Sequence, residues 1–155
     1  MVRAYRADDR LIHGQVQTQW ISEYRINRVI IIDDQVVKDD IWLQILKLAK
    51  PVGVDLVICG TDRAMELLEK DAKQDKARTF VIFKTIVTAA VLLKQGLKIN
   101  QLVVGPSSAK PDSVQMAKNT YFSEEEVKAA NELKRAGTEI VFQLLPGDTK
   151  EVFKG

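Results

Sequence analysis

The run Arg-Val-Ile-Ile-Ile-Asp-Asp at positions 28–34 limits what this chain can fold into more than any other stretch. A continuous β-branched run between polar ends reads as a strand buried on both faces, which is the pattern of a parallel sheet sandwiched between helices. The rest of the chain repeats the theme. Strand-like runs at Val2–Ala7, Val54–Gly60, Thr79–Phe83, Gln101–Val104 and Glu139–Leu145 alternate with helix-like runs at Val16–Ser22, Asp39–Lys50, Thr61–Lys70, Ile86–Gln95 and Ser123–Ala136. Such alternation predicts an α/β fold with an open, mostly parallel sheet and helices on both faces. A short strand at Thr120–Phe122 and the late strand at 139–145 leave room for an antiparallel edge. The tail to Gly155 is expected to add one more helical turn, and Pro111–Asn119 reads as loop.

Local signals set the element ends. Asp39 or Asp40 caps the second helix and Pro51 ends it, with Ile41, Ile45 and Leu48 as its buried stripe. Trp42 and Leu46 either widen that stripe or reach a partner. Ser123 and Glu126 form a capping box. Thr85 reads as an N-cap, and Asp71–Ala77 as a charged, solvated turn. Cys59, late in an apolar strand, reads as a small core residue. Neither an internal repeat nor a linker interrupts the chain, so residues 1–155 read as one domain.

Composition narrows the function classes. The chain has 155 residues, with 23 Lys plus Arg against 21 Asp plus Glu and a net charge of +2. The basic residues are dispersed, which argues against a nucleic-acid surface. One cysteine excludes an internal disulfide and fits a reducing cytoplasm. No apolar run is long enough to span a bilayer, and the first residues are too polar for a signal peptide. Work at a membrane would have to go through partners.

The chemistry concentrates at Arg6-Ala7-Asp8-Asp9-Arg10-Leu11-Ile12-His13-Gly14-Gln15-Val16, which holds the only histidine. This stretch is the turn between the first strand and the first helix. In open α/β sheets that carboxyl edge is where ligands bind. His13 can serve as base, acid or nucleophile. A phosphoryl group suits the place, because a helix start offers unpaired N–H groups and Arg10 a charged fork. Gly14 leaves the backbone free to approach, and Asp8 or Asp9 could orient the imidazole. Plain structural roles remain open for each: helix capping for Asp8 and Asp9, a solvated charge for Arg10. Lys84 and Thr85, at another strand end, are placed by topology at the same pocket. Asp33 and Asp34 share that edge and read chiefly as helix-entry residues. The Gly105-Pro106-Ser107-Ser108 turn is a candidate wall. With no second histidine, no metal is expected at His13. With no glycine-rich dinucleotide fingerprint or P-loop, no nucleotide cofactor is expected either.

The contiguous motif from Arg6 to Val16, with Trp20 after it, resembles the amino-terminal motif of the IIB component of the mannose/fructose/sorbose family of the bacterial sugar phosphotransferase system. The resemblance extends over nearly the whole chain and implies an open, Rossmann-like sheet. It implies that His13 accepts a phosphoryl group, through Nδ1, from phosphohistidine of a IIA component. The group then passes to a sugar imported through the IIC and IID membrane components. Arg10 would bind the phosphate, with Asp8, Asp9, Gly14, Gln15, Lys84 and Thr85 in support. No cofactor or metal is implied, and the chain would sit in the cytoplasm, held at the membrane's inner face by its partners. Ala7 departs from the branched aliphatic residue usual in the family. Leu11 and Ile12 are expected to add an apolar rim for docking. The sugar and the oligomeric state stay open, a homo-oligomer included. Two rivals also stay open: a receiver-like domain phosphorylated on aspartate, against which the lysine-proline step after the fifth strand is missing, and a non-catalytic module whose histidine senses pH.

Overall fold

The computed structural model describes residues 1–12 and 14–155. Its main sheet contains β1 (Val2–Ala7), β2 (Arg28–Ile32), β3 (Asp55–Cys59), β4 (Thr79–Phe83), β5 (Gln101–Val104), β8 (Glu139–Phe142) and β9 (Glu151–Val152). The strand order is β3-β2-β4-β1-β5-β8-β9. Every pairing is parallel except that of β9 with β8. A separate antiparallel pair is made by β6 (Val114–Ala117) and β7 (Thr120–Phe122).

The β-branched strands pack as their two-residue period requires. In β2, Val29 and Ile31 face one layer, and Ile30 and Ile32 the other; all four are fully buried. The first layer is covered by α1 (Gln15–Glu23), through Trp20 and Ile21, and by α2 (Asp40–Ala49), through Leu46 with Trp42 and Ala49 beside it. The second is covered by α3 (Thr61–Ala72), α4 (Ile86–Lys94) and α5 (Glu124–Arg135) through Leu68, Ala89, Leu92, Ala130 and Leu133. The mostly parallel sheet with helices on both faces is therefore as expected, and so is an antiparallel edge.

That edge comes from different residues than expected. The tail forms β9 rather than a helical turn, because Val152 and Glu151 pair with Val141 and Phe142 and bury Phe153. The segment expected as loop contains β6, which β7 holds in register. Asp71 is not in a solvated turn: it closes α3, is fully buried, and accepts the Thr79 hydroxyl at 2.6 Å. Arg28 pairs with it, its Nε 3.6 Å away. The second helix also departs from expectation. Leu46 is buried, while Ile41, Ile45 and Leu48 are 72%, 37% and 88% exposed. Two adjacent apolar stripes share this helix, and the one with Trp42 and Leu46 faces the sheet.

The predicted caps are present. Asp39 accepts from the N–H groups of Ile41 and Trp42, Thr85 from that of Val87. Ser123 and Glu126 exchange both capping-box bonds.

The connections explain where a site belongs. From β1 through α1 and from β2 through α2, the chain steps toward the β3 edge over one face. From β3 onward it steps back through α3, α4 and α5 over the other. Leaving the carboxyl end of β1, the chain thus turns to one face, while leaving its neighbours β4 and β5 it turns to the other. This divergence opens a crevice at the carboxyl end of β1, the usual ligand position in open sheets.

Candidate functional site at the carboxyl end of the sheet

A cleft of about 410 Å³ lies in that crevice, with Asp8, Asp9, Lys84, Thr85 and the Gly105–Ser107 turn among its lining residues. A second depression adjoins it on the far side of Asp9, bordered by Arg10, Ser108 and Lys118. Topology therefore brought together Asp8, Asp9, Lys84, Thr85 and the Gly105 loop, as the strand ends implied. His13 lies outside the described residues. A larger cleft of about 530 Å³ opens near the opposite ends of β1 and β5, beside Val2, Arg3 and Gln101. It is remote from this constellation.

The best-defined feature of the site is a chain of charges running from the core to the surface. Arg6, at the buried end of β1, donates through Nη1 to the carbonyl of Gln143 at 2.8 Å and through Nη2 to that of Leu144 at 3.2 Å. Its guanidinium lies 4.9 Å from the Trp20 ring centroid, and Trp20 Nε1 donates to the same Leu144 carbonyl at 2.8 Å. Above it, Asp8 Oδ2 accepts from Arg6 Nε and Nη2 at 3.3 and 3.2 Å. Asp8 also accepts from Arg10: Oδ1 takes the backbone N–H and Nε, and Oδ2 takes Nη2. Both Arg6 and Asp8 side chains are wholly buried, whereas that of Arg10 is 42% exposed. Burial lowers the Arg6 pKa, and the Asp8 charge opposes that shift. The hydrogen bond to Asp8 raises that of Arg10.

Asp8 is consequently not placed as the sequence suggested. Both its oxygens accept from arginines, and it does not cap α1; an orienting role toward His13 falls outside the described residues. Asp9 differs from it. Its side chain makes no hydrogen bond or ion pair with the described residues, and it is exposed. Burial of part of its carboxyl and the neighbouring Asp8 charge raise its pKa, against Arg10, Lys110 and Lys84. Asp33 also lines the cleft, but its carboxylate accepts the N–H groups of Gln35 and Val36, the helix-entry role. Asp34 accepts from Thr61 in the same way. Lys84 sits 5.3 Å above the Trp42 ring centroid.

The loop after β1 is held from below. Leu11 has φ 56° and no exposure, and its N–H donates to the Asp8 carbonyl at 3.1 Å. A left-handed leucine is strained, and burial of its side chain holds it there. Leu11 and Ile12, expected at a docking rim, are instead 0% and 3% exposed. They anchor the loop. Gly14 has φ 108°, which explains its glycine better than a close approach does. It is the N-cap of α1 and supplies no side-chain hydrogen bond, and Gln15 follows it exposed at the helix start. Gly105 is required for space. A Cβ there would come within 2.8 Å of Arg6 Nη2 and still closer to Asp8 Oδ2.

Sequence reasoning gave no role to Arg6, Gln143, Gln17 or the 114–122 hairpin. Gln143 is linked to Arg6 across 137 positions, which no local pattern reveals. An arginine closing an apolar strand two residues before an aspartate was the available clue to the buried pair. Gln17 on α1 is fully buried, and its amide finds no hydrogen-bond partner among the described residues. The hairpin is tied to the Gly105 turn by Ser107, whose hydroxyl donates to the Tyr121 carbonyl at 2.8 Å. Cys59 is buried as expected, and desolvation pushes its thiol up to about 11.

Residues 2–154 match the family described as PTS system sorbose subfamily IIB component. The sorbose-specific EIIB component of Lacticaseibacillus casei is 32% identical over 143 residues, 92% of this chain and 87% of that relative. The IIBSor domain of the sorbose permease from Klebsiella pneumoniae superposes with a TM-score of 0.89 at 26% identity, over 97% of this chain and 92% of that one. For manxB from Thermoanaerobacter tengcongensis the TM-score is 0.85 at 31% identity, over 98% and 92%. The mannose-specific EIIAB component of Escherichia coli K12 is 27% identical over 145 residues, which are 94% of this chain but 45% of that relative.

Proposed function

Because the chain belongs to the sorbose subfamily of IIB components of the phosphotransferase system, we propose that it is a single phosphoryl-carrier domain whose acceptor is His13. The phosphoryl group comes from phosphohistidine of a IIA component. It passes to a hydroxyl of a sugar held by IIC and IID membrane components, making the chain a protein-phosphohistidine–sugar phosphotransferase. It works in the cytoplasm, held at the membrane by those partners. Among the described residues, no helix is long and apolar enough to cross a membrane.

The observation that carries this reading is the attitude of Arg10. Asp8 holds it by the Nε and Nη2 edge, and its Nη1 has no hydrogen bond to the described residues. A guanidinium fixed along one edge and open along the other matches a phosphoryl oxygen pair. A few residues later in the chain α1 starts at the N-cap Gly14, which supplies no side-chain hydrogen bond, and a helix start with its dipole favours an anion.

In the first step an imidazole nitrogen of His13, Nδ1 by family resemblance, attacks phosphorus in line as the donor nitrogen leaves. In the second, the sugar hydroxyl oxygen attacks, the P–N bond breaks with its electron pair going to the imidazole nitrogen, and that nitrogen takes up the hydroxyl proton. Arg10 and the Gly14 and Gln15 N–H groups hold the equatorial oxygens throughout. Lys84 adds positive charge across the cleft, and Thr85 caps α4 so that Lys84 stays at its mouth. Asp9 is the one cleft carboxylate near Arg10 left without a described partner. The protein contributes position and charge, as phosphoryl transfer demands.

The test is transfer of labelled phosphoryl from the general phosphotransferase proteins and a cognate IIA to the wild type, His13→Gln and Arg10→Gln. The wild type should take label that is lost in acid and kept in base. His13→Gln should take none, and Arg10→Gln should be slowed about 100- to 1000-fold, the range for removing one charge-stabilising donor. Label on His13→Gln would overturn the assignment.

A further inference from the structure

The second helix is apolar on more than the face it buries. Trp42, Leu46 and Ala49 face the sheet, yet Ile41, Ile45 and Leu48 are 72%, 37% and 88% exposed, and Val52 in the turn after the helix is exposed too. Spacings of four and three residues put Ile41, Ile45 and Leu48 in one straight stripe, the seam pattern of paired helices. Large apolar side chains aligned this way on a surface mark a contact. A helix apolar around most of its circumference is normally covered on both sides.

We propose that this stripe is the interface of a homodimer, in which α2 packs antiparallel against α2 of a second copy about a two-fold axis. The occupant follows from the polar strip alongside. Asp40, Gln44 and Lys47 run down one flank of the stripe at four- and three-residue spacings. Read backwards, acid–amide–base becomes base–amide–acid. A two-fold antiparallel mate therefore sets Asp40 against Lys47 of the second copy, at both ends, with the Gln44 amides meeting near the axis. In a parallel two-fold pair the two polar strips would fall on opposite sides of the seam and would not meet.

Geometry separates this surface from the phosphoryl site. The stripe starts at Ile41, near Trp42 and Lys84 at the carboxyl end, and runs roughly 10 Å down the molecule to Leu48 at about 1.5 Å per residue. A partner centred on the β1 loop would leave Leu48 and Val52 uncovered. A side-by-side copy covers the whole stripe and leaves the cleft open. The inference stands apart from the phosphoryl-carrier reading and needs no donor or sugar to test.

The experiment is sedimentation velocity and light scattering on the whole chain from about 1 to about 500 µM, for a contact smaller than a standard interface and micromolar in strength. The wild type should pass from monomer to dimer across that range. Leu48→Glu, at a position already exposed, should weaken dimerisation at least about tenfold while circular dichroism stays unchanged. Asp40→Lys and Lys47→Asp should each weaken it, and the double exchange should restore it. A wild type monomeric throughout would overturn the proposal, the more so if Leu48→Glu then lost binding to IIA or to IIC/IID vesicles. A dimer indifferent to Leu48→Glu would also overturn it, as would a double exchange no tighter than either single variant.

Discussion

Asp8→Asn removes the charge that holds two arginines, one buried and one half-exposed. Its cost can be worked from the contacts. Neither Arg6 nor Asp8 has any side-chain exposure, so the neutral amide leaves a buried guanidinium without its counter-charge. Breaking such a pair by removing one partner costs about 3–5 kcal/mol. Arg6 keeps its bonds to the Gln143 and Leu144 carbonyls and its place over Trp20. Asparagine keeps an acceptor oxygen. These put the expected loss near the lower end, about 3 kcal/mol. That is a large part of the roughly 5–15 kcal/mol that holds a domain together, and for a chain this long it lowers Tm by roughly 6–12 °C. Arg6→Met should cost less, because Asp8 would still accept three hydrogen bonds from Arg10. Urea unfolding followed by circular dichroism measures both. The loss should persist at high salt, since the pair is shielded from solvent. A loss under about 1 kcal/mol for Asp8→Asn, the range of exposed pairs, would show that the buried guanidinium does not depend on Asp8.

Gly105→Ala forces a methyl into Asp8 and Arg6 and should cost about 2 kcal/mol, the overpacking range, while also slowing phosphoryl acceptance; unchanged stability and rate would contradict the tight fit. The Cys59 thiol, pushed up to about 11, should alkylate at pH 8 only after unfolding. Rapid modification of the native protein by iodoacetamide would refute its burial. Asp9 carries a raised pKa, so the folded state binds its proton more tightly than the unfolded state does. Its contribution to stability is then full below the unfolded carboxylate pKa and lost as pH rises through the folded one. The Tm of Asp9→Asn minus that of the wild type should be greater at pH 7 than at pH 4, and a difference independent of pH would contradict the shift.

The parallel sheet was legible because Val29 to Ile32 must be buried on both sides, and only helices on both faces can do that. The caps at Asp39, Thr85 and Ser123 were legible because capping is local chemistry. α2 was not. Its two apolar stripes, one through Ile41 and Ile45 and the other through Trp42 and Leu46, satisfy the same helical period, and only the shape of the sheet beneath selects between them. The tail was misjudged for a related reason: two strand residues have no period, and β8 supplies their order. At the site, the strand-end rule put Asp8, Asp9, Lys84, Thr85 and the Gly105 turn at one sheet edge, and these residues line one cleft. It could not foresee that Asp8 would be committed to Arg6, since that pair depends on carbonyls at 143 and 144 and on a glycine at 105.

The most direct test of the phosphoryl-carrier account uses the fact that the chain has a single histidine. Protein labelled with nitrogen-15 in that histidine gives one imidazole spectrum, which needs no assignment by mutation. Recorded before and after phosphorylation through IIA, it should change from a free imidazole to one substituted at Nδ1, and return when the sugar is added with IIC/IID membranes. An imidazole spectrum unmoved while phosphate is incorporated would place the acceptor elsewhere and contradict the account.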